Sequence, residues 1–292
     1  MNELFVGTGV ALVTPFLLNK KIDFEALERI IKFVDLPEIN YLSIVGTTAE
    51  SPTLSWNEKI EILEFVSEKA TNQPILFGLG GNDTNQLLKE INYINKYNID
   101  GLLSVTPYYN RPSQTGLISH YKQIADSSDH PIILYNVPSR TGVNLASDTT
   151  LILSEHPNII GIKEASGDLE QCKRISISKP DDFLLISGND ADTLAILKIG
   201  GSGSISVIAN YKPNEFGKMV QYSLNNNFDN ALKIQKELNL FSVLQIILLN
   251  KKLISFSKNL FIKSLKDVNA NNSCVHKQQT HTSLNNGVTH PG

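Results

Sequence analysis

The sequence has little cysteine, no excess of either charge and no long apolar run, and each shortage closes off a class of protein. Two cysteines in 292 residues, Cys172 and Cys274, are too few for a disulfide framework or a zinc cage, so no metal is expected. They read as reduced, incidental thiols in a reducing, cytoplasmic compartment. A formal net charge of −3 offers no basic field for nucleic acid or an anionic membrane. No uncharged apolar run approaches the roughly 18 residues that cross a bilayer; the longest candidate, 241–249, is far shorter. The opening MNELFVGTGVALVTPF lacks the basic stretch and apolar core of a signal peptide. The first apolar run is not followed by a GxGxxG turn, which weighs against a dinucleotide-binding sheet.

What is present is the balance of an ordinary globular core, 41% hydrophobic and 19% charged. Short apolar runs at 9–14, 41–45, 74–78, 101–105, 131–135, 159–163, 183–187 and 203–207 read as strands. Amphipathic stretches such as 24–34, 57–70, 85–97 and 116–127 separate them and read as helices. Ser55 with Glu58 forms a capping box for the second helix. Strand starts recur every 20 to 33 residues, the length of one βα unit. Continuously apolar strands with intervening helices indicate a parallel sheet covered on both faces. Eight units indicate closure into a (β/α)8 barrel, with a flavodoxin-like or Rossmann sheet as the alternative. The barrel is expected over 1–224 and a helical C-terminal region over 225–292, with helical patterns at 213–224 and 228–240. From about residue 241 the pattern changes, and 269–292, rich in Asn, Ser, Thr and His, is expected to be poorly packed.

In such a barrel the chemistry sits in the loops after the strands. The second strand runs into Thr47-Thr48-Ala49-Glu50, the fourth into Tyr108-Tyr109-Asn110-Arg111, and the fifth into Val137-Pro138-Ser139-Arg140. The sixth ends in Ile162-Lys163-Glu164 and the seventh in Ser187-Gly188-Asn189-Asp190. A lysine flanked by Ile160 and Ile162 is partly desolvated, which favours the neutral amine. A neutral amine attacks a ketone to give an imine. Each residue also has a plain structural reading. Lys163 can snorkel to the surface, Tyr135 can fill the barrel mouth, and Arg140 can be a surface charge. Thr47 and Thr48 can cap a turn. Their convergence on one rim is what favours chemistry.

The segments TPYYNRPSQ, LYNVPSRTG and NIIGIKEASG resemble the dihydrodipicolinate synthase family, within the pyruvate-dependent aldolase superfamily that includes N-acetylneuraminate lyase. The resemblance runs from about residue 6 to 240. It implies a lysine Schiff base and condensation of pyruvate with aspartate semialdehyde, early in diaminopimelate and lysine biosynthesis, with no cofactor. By matching position, Lys163 would carry the imine and Tyr135 would shuttle protons. Thr47 would link Tyr135 to Tyr109, the latter lent by a neighbouring subunit of a homodimer or family-type tetramer. Thr48 would hold the pyruvate carboxylate and Arg140 that of the semialdehyde, with Gly188 and Ile205 beside the lysine. Arg140 also separates the synthase form from sugar-acid aldolases. A non-catalytic barrel is the rival from another class.

The sequence departs from the family pattern at a few places. Ala49 stands where the family often has glycine. Ser51, Asn82 and Tyr108 match a lysine-binding site of feedback-sensitive members, with Trp56, Lys59 and Gln86 nearby. Gln86 replaces an acidic residue that would pair with the inhibitor's amino group, so weak or absent lysine inhibition is expected. The family's Asn-Pro-x-Pro-x-Lys stretch has no counterpart, which points to a shifted reading frame or degenerated terminus from near Leu240.

Overall fold

Apolar runs that cannot alternate faces need cover on both sides, and in the computed structural model they obtain it as a parallel sheet ringed by helices. The structure describes residues 2–70 and 72–250, with 240–250 by backbone alone. The strands are β1 (Gly7–Ala11), β2 (Tyr41–Ile44), β3 (Ile75–Gly78), β4 (Gly101–Val105), β5 (Ile132–Asn136), β6 (Ile159–Glu164), β7 (Leu184–Ser187) and β8 (Gly203–Ser206). The early helices are α1 (Phe24–Val34), α2 (Trp56–Lys69), α3 (Thr84–Ile94), α4 (Gln114–Ser127) and the short α5 (Pro138–Thr141). Then come α6 (Ser147–Ser154), α7 (Leu169–Ser178), α8 (Thr193–Lys198), α9 (Pro213–Leu224) and α10 (Phe228–Asn250).

The strands pair in chain order, and β8 returns to β1 through Gly7 opposite Gly203 and Ile205 opposite Gly9. The sheet is a closed (β/α)8 barrel, as the sequence predicts. Boundaries hold closely except at β1, where the expected run 9–14 is cut short. There Asn210 intervenes: its Nδ2 donates to the Ala11 carbonyl at 2.7 Å and its Oδ1 accepts from Val13 N at 3.2 Å. This side-chain clamp takes up Ala11 O and Val13 N, while Leu12 N still donates to the Ser43 carbonyl at 2.9 Å. The Ser55–Glu58 capping box forms in full, with Glu58 Oε2 accepting from Ser55 N at 2.8 Å. Helix α10 runs ten residues beyond the expected end at 240, through Asn250. Its Ala231 and Leu238 are buried in the main core. The expectation for 269–292, and Cys274, lie outside the described residues.

Alternation along each strand divides the core in two. One set of side chains, including Val10, Leu42, Ile44, Phe77, Leu134 and Leu185, meets the helices. The other, including Ala11, Tyr41, Leu76, Leu103, Ile133, Leu184, Ile186 and Ile205, fills the barrel interior with Phe5 beneath.

Strand β6 breaks this alternation once. Ile132 pairs with Ile159, but Ile133 pairs with Gly161, leaving Ile160 as an extra residue. Such a bulge shifts the phase of everything after it. Ile159 faces the helices and Ile160 the interior, yet Ile162 faces the helices again. Lys163 is therefore turned inward. Gly161 makes the bulge feasible, because a Cβ there would lie 2.8 Å from the Leu184 carbonyl oxygen and Cβ.

Candidate active site

Lys163 is 6% exposed and lies in register with Tyr135 on β5 and Ile186 on β7. Its Nζ sits 4.3 Å from the centroid of the Tyr135 ring, within cation–π range. Burial lowers the Lys163 pKa to about 8; the Asp190 charge opposes the shift and the Arg140 charge adds to it. About a tenth of the amine is therefore neutral near pH 7, hundreds of times the fraction that an exposed lysine offers. Gly188 leaves room for the lysine stem, since a Cβ there would meet Lys163 Cγ at 2.9 Å and Cε at 3.0 Å. Its N–H donates to the Glu164 carbonyl at 2.8 Å. Ile205, 1% exposed, belongs to the same interior cluster.

Tyr135 is 7% exposed. Burial raises its pKa, against a hydrogen bond with the Thr47 side chain and the positive charge of Arg140. Thr47 reaches it because the chain turns sharply after β2 at Val45, which has φ 55. A β-branched residue in the left-handed region is strained by on the order of 1–3 kcal/mol. That strain sits two residues before Thr47.

Above these groups lies a cavity of about 910 Å3. Thr47, Tyr135 and Arg140 line it, as do Tyr109 and the backbone after β2 and β3. Among the described residues its charged lining consists of Lys59, Arg111 and Arg140, all cations. A cavity with that lining suits carboxylates. Tyr109 stands on its rim, 89% exposed at φ 74. Thr48 is half-buried next to Thr47 but is not part of the wall.

The residues matching a lysine-binding site are only partly gathered. Ser51, Tyr108 and Lys59 line the cavity. Trp56 packs edge-on against Tyr93 at 5.7 Å, and Gln86 donates from Nε2 to Glu90 Oε1 at 3.1 Å. The Asn82 carbonyl accepts from Asn110 Nδ2 at 2.9 Å, bracing the loop after β4. Cys172 is buried, which pushes its thiol up to about 12 and leaves it inert. Among the described residues no helix is long and apolar enough to cross a membrane.

Asp190 is the site residue that the sequence motifs do not single out. It is 1% exposed, and its Oδ2 accepts from Val207 N at 3.2 Å and Ile208 N at 3.0 Å. Burial raises its pKa, with Ser206, those two amides and the Lys163 charge holding it back. A buried carboxylate facing the lysine's charge cannot be inferred from SGND alone, since the seventh strand shows only that a polar loop follows.

A closed parallel barrel with a buried, inward-facing lysine under a cationic mouth is the architecture of a Schiff-base lyase. The chain belongs to the dihydrodipicolinate synthetase family, whose model matches residues 4–274. It is 46% identical over 227 residues to the 4-hydroxy-tetrahydrodipicolinate synthase of Azobacteroides pseudotrichonymphae genomovar. CFP2, covering 77% of each chain. Among solved structures it is similar to the 4-hydroxy-tetrahydrodipicolinate synthase of Methylacidiphilum fumariolicum SolV, at a TM-score of 0.83 and 36% identity, covering 89% of this chain and 87% of that one. It is also similar to the chloride-inhibited dihydrodipicolinate synthase from Acinetobacter baumannii complexed with pyruvate, at a TM-score of 0.82 and 34% identity over 89% of both chains.

Proposed function

We propose that this barrel condenses pyruvate with aspartate 4-semialdehyde through an imine on Lys163, in the biosynthesis of diaminopimelate and lysine. The observation that carries the reading is the inward-facing Lys163, buried against Tyr135 and with its pKa lowered to about 8. The neutral amine adds to the pyruvate ketone, and loss of water gives the imine. The imine is an electron sink, so a proton leaves the adjacent methyl carbon to form an enamine. That carbon attacks the aldehyde, whose oxygen takes up a proton. The amino group of the second substrate then adds to the imine carbon, closes the ring and releases the Lys163 amine.

In this reading Tyr135 hands protons to and from the imine, with Thr47 holding its hydroxyl. Arg140 takes the semialdehyde carboxylate and Thr48 the pyruvate carboxylate, while Gly188 and Ile205 shape the floor. Tyr109, 89% exposed, completes the relay across a two-fold interface, so the working unit is at least a homodimer. Its place is the cytoplasm. Ser51, Tyr108 and Lys59 line the cavity, whereas Gln86, engaged with Glu90, offers no carboxylate to an inhibiting lysine.

Incubation with pyruvate followed by borohydride tests the reading. One reduced adduct per chain is expected, mapped to Lys163 and absent in Lys163→Ala. Labelling of a different lysine, or none, overturns it.

A further inference from the structure

Behind Lys163, on the helix side of β6, lies a carboxylate that the chemistry above does not use. Glu164 is 1% exposed, and among the described residues no cation pairs with it. All of its partners are N–H donors. Its Oε1 accepts from Ser166 N at 2.7 Å and Asn136 Nδ2 at 3.2 Å; its Oε2 accepts from Asn136 Nδ2 at 3.0 Å and Gln171 Nε2 at 2.9 Å. Burying a charge without a counter-ion is costly unless its hydrogen bonds are well met.

These donors lead to one place. Asn136 ends β5, and its Nδ2 donates to Asn144 Oδ1 at 2.8 Å while its Oδ1 accepts from Leu145 N at 2.9 Å. One side chain thereby ties together the two ends of the excursion 137–144. Gln171 holds the far end as well: its Oε1 accepts from Asn144 Nδ2 at 2.8 Å, and its Nε2 donates to the Leu145 carbonyl at 3.2 Å. Within that excursion Ser139, Arg140 and Gly142 line the cavity. Both feet of the Arg140 loop therefore converge on a single buried carboxylate, one residue along β6 from Lys163.

We propose that Glu164 is a positioning residue that sets the Arg140 loop relative to the Lys163 amine, and so governs the fit of the second, carboxylate-bearing substrate. The proposal rests on the reading of Lys163 and Arg140 given above. Lys163 itself is placed by the ladders to β5 and β7 and by the bulge at Ile160, none of which involves the Glu164 side chain. Loosening the network should thus move Arg140 while leaving the amine where it is.

The test compares the two substrates in the Glu164→Gln variant. An amide keeps the shape but turns one acceptor into a donor facing Asn136, Gln171 and Ser166, all of which donate. The expected result is a KM for the semialdehyde raised between about ten- and a hundredfold, as for a group displaced by about 1 Å. Borohydride trapping with pyruvate should stay within about twofold of the parent. Gln171→Leu, which removes one tether without touching the charge, should give a smaller shift of the same kind and serves if Glu164→Gln does not fold. Equal losses for both substrates, in step with melting temperature, or an unchanged semialdehyde KM in these variants, overturn the proposal. Failure of pyruvate trapping in the parent protein would instead overturn the Lys163 reading.

Discussion

At the base of the barrel Phe5 and Tyr41 meet edge to face at 5.3 Å, both fully buried, in one apolar cluster with interior side chains such as Leu76, Ile133 and Leu184. At the mouth Lys59, Arg111 and Arg140 share one cavity, and a buried lysine and carboxylate lie below it. Backbone strain is concentrated at the mouth. Val45, Glu50, Tyr109 and Arg111 hold positive φ in the loops after β2 and β4, and Lys20 in that after β1. Asn226, of a type that tolerates this region, holds it after α9. The base is where apolar burial holds the strands together, and the mouth is where that stability is drawn upon to hold strained turns and unneutralised charge.

The largest effect expected from breaking this contrast is at the base. Tyr41→Ala removes a fully buried ring and should cost about 3–5 kcal/mol. A melting temperature lower by on the order of 10 °C should result, with KM values of the remaining folded protein unchanged. A matching rise in KM would show that base and mouth are not separable.

Arg140→Ala probes the mouth in the opposite sense. Loss of a charge-assisted contact is worth about 1.5–3 kcal/mol, one to two decades in affinity. The loss should fall on the semialdehyde and leave thermal stability nearly intact, since Arg140 is exposed. Steady-state kinetics with each substrate varied in turn decides this.

The next effect is about tenfold per pH unit. With the Lys163 pKa near 8, imine formation should climb with pH and level off above that value, as followed by single-turnover trapping. Stability carries the same sign. Between about pH 8 and the ordinary lysine value of 10.5, the unfolded chain holds a proton that the folded chain has released. The burial penalty is therefore fully present below pH 8 and fades as pH rises toward 10.5. A profile that keeps climbing past pH 8 toward the ordinary lysine value of 10.5 would mean that the amine is not desolvated.

The smallest effects sharpen the contrast. Tyr41→Phe removes a buried hydroxyl that has no hydrogen-bond partner among the described residues, so its stability should change by no more than about 1 kcal/mol in either direction. Added free lysine should barely slow turnover, because Gln86 is neutral and engaged with Glu90. Strong inhibition at sub-millimolar lysine would show that another group supplies the missing charge.

Much of this was readable from local pattern. The eight apolar runs and their spacing specify the barrel, because only parallel strands covered on both faces tolerate such continuous hydrophobicity. The rule that chemistry follows the strands then places Thr47, Tyr135, Arg140 and Lys163 at one end, as the structure does. Asp190 and the Glu164 network were not readable in this way. Their significance lies in partners 17 to 45 residues away for Asp190 and 28 for the Asn136–Glu164 pair, separations that no local period reports.

The face of Lys163 shows the division most clearly. In Asn158-Ile159-Ile160-Gly161-Ile162-Lys163, apolar residues occupy both phases, so the sequence specifies a buried strand but not which residues look inward. Strict alternation from the inward-facing Ile160 would turn Lys163 out toward the helices. It faces in because β5 and β7 impose a register that leaves Ile160 unpaired. Composition and periodicity determined that a lysine would end a buried strand; pairing with two neighbouring strands, a constraint that exists only once the barrel closes, decided that its amine meets Tyr135.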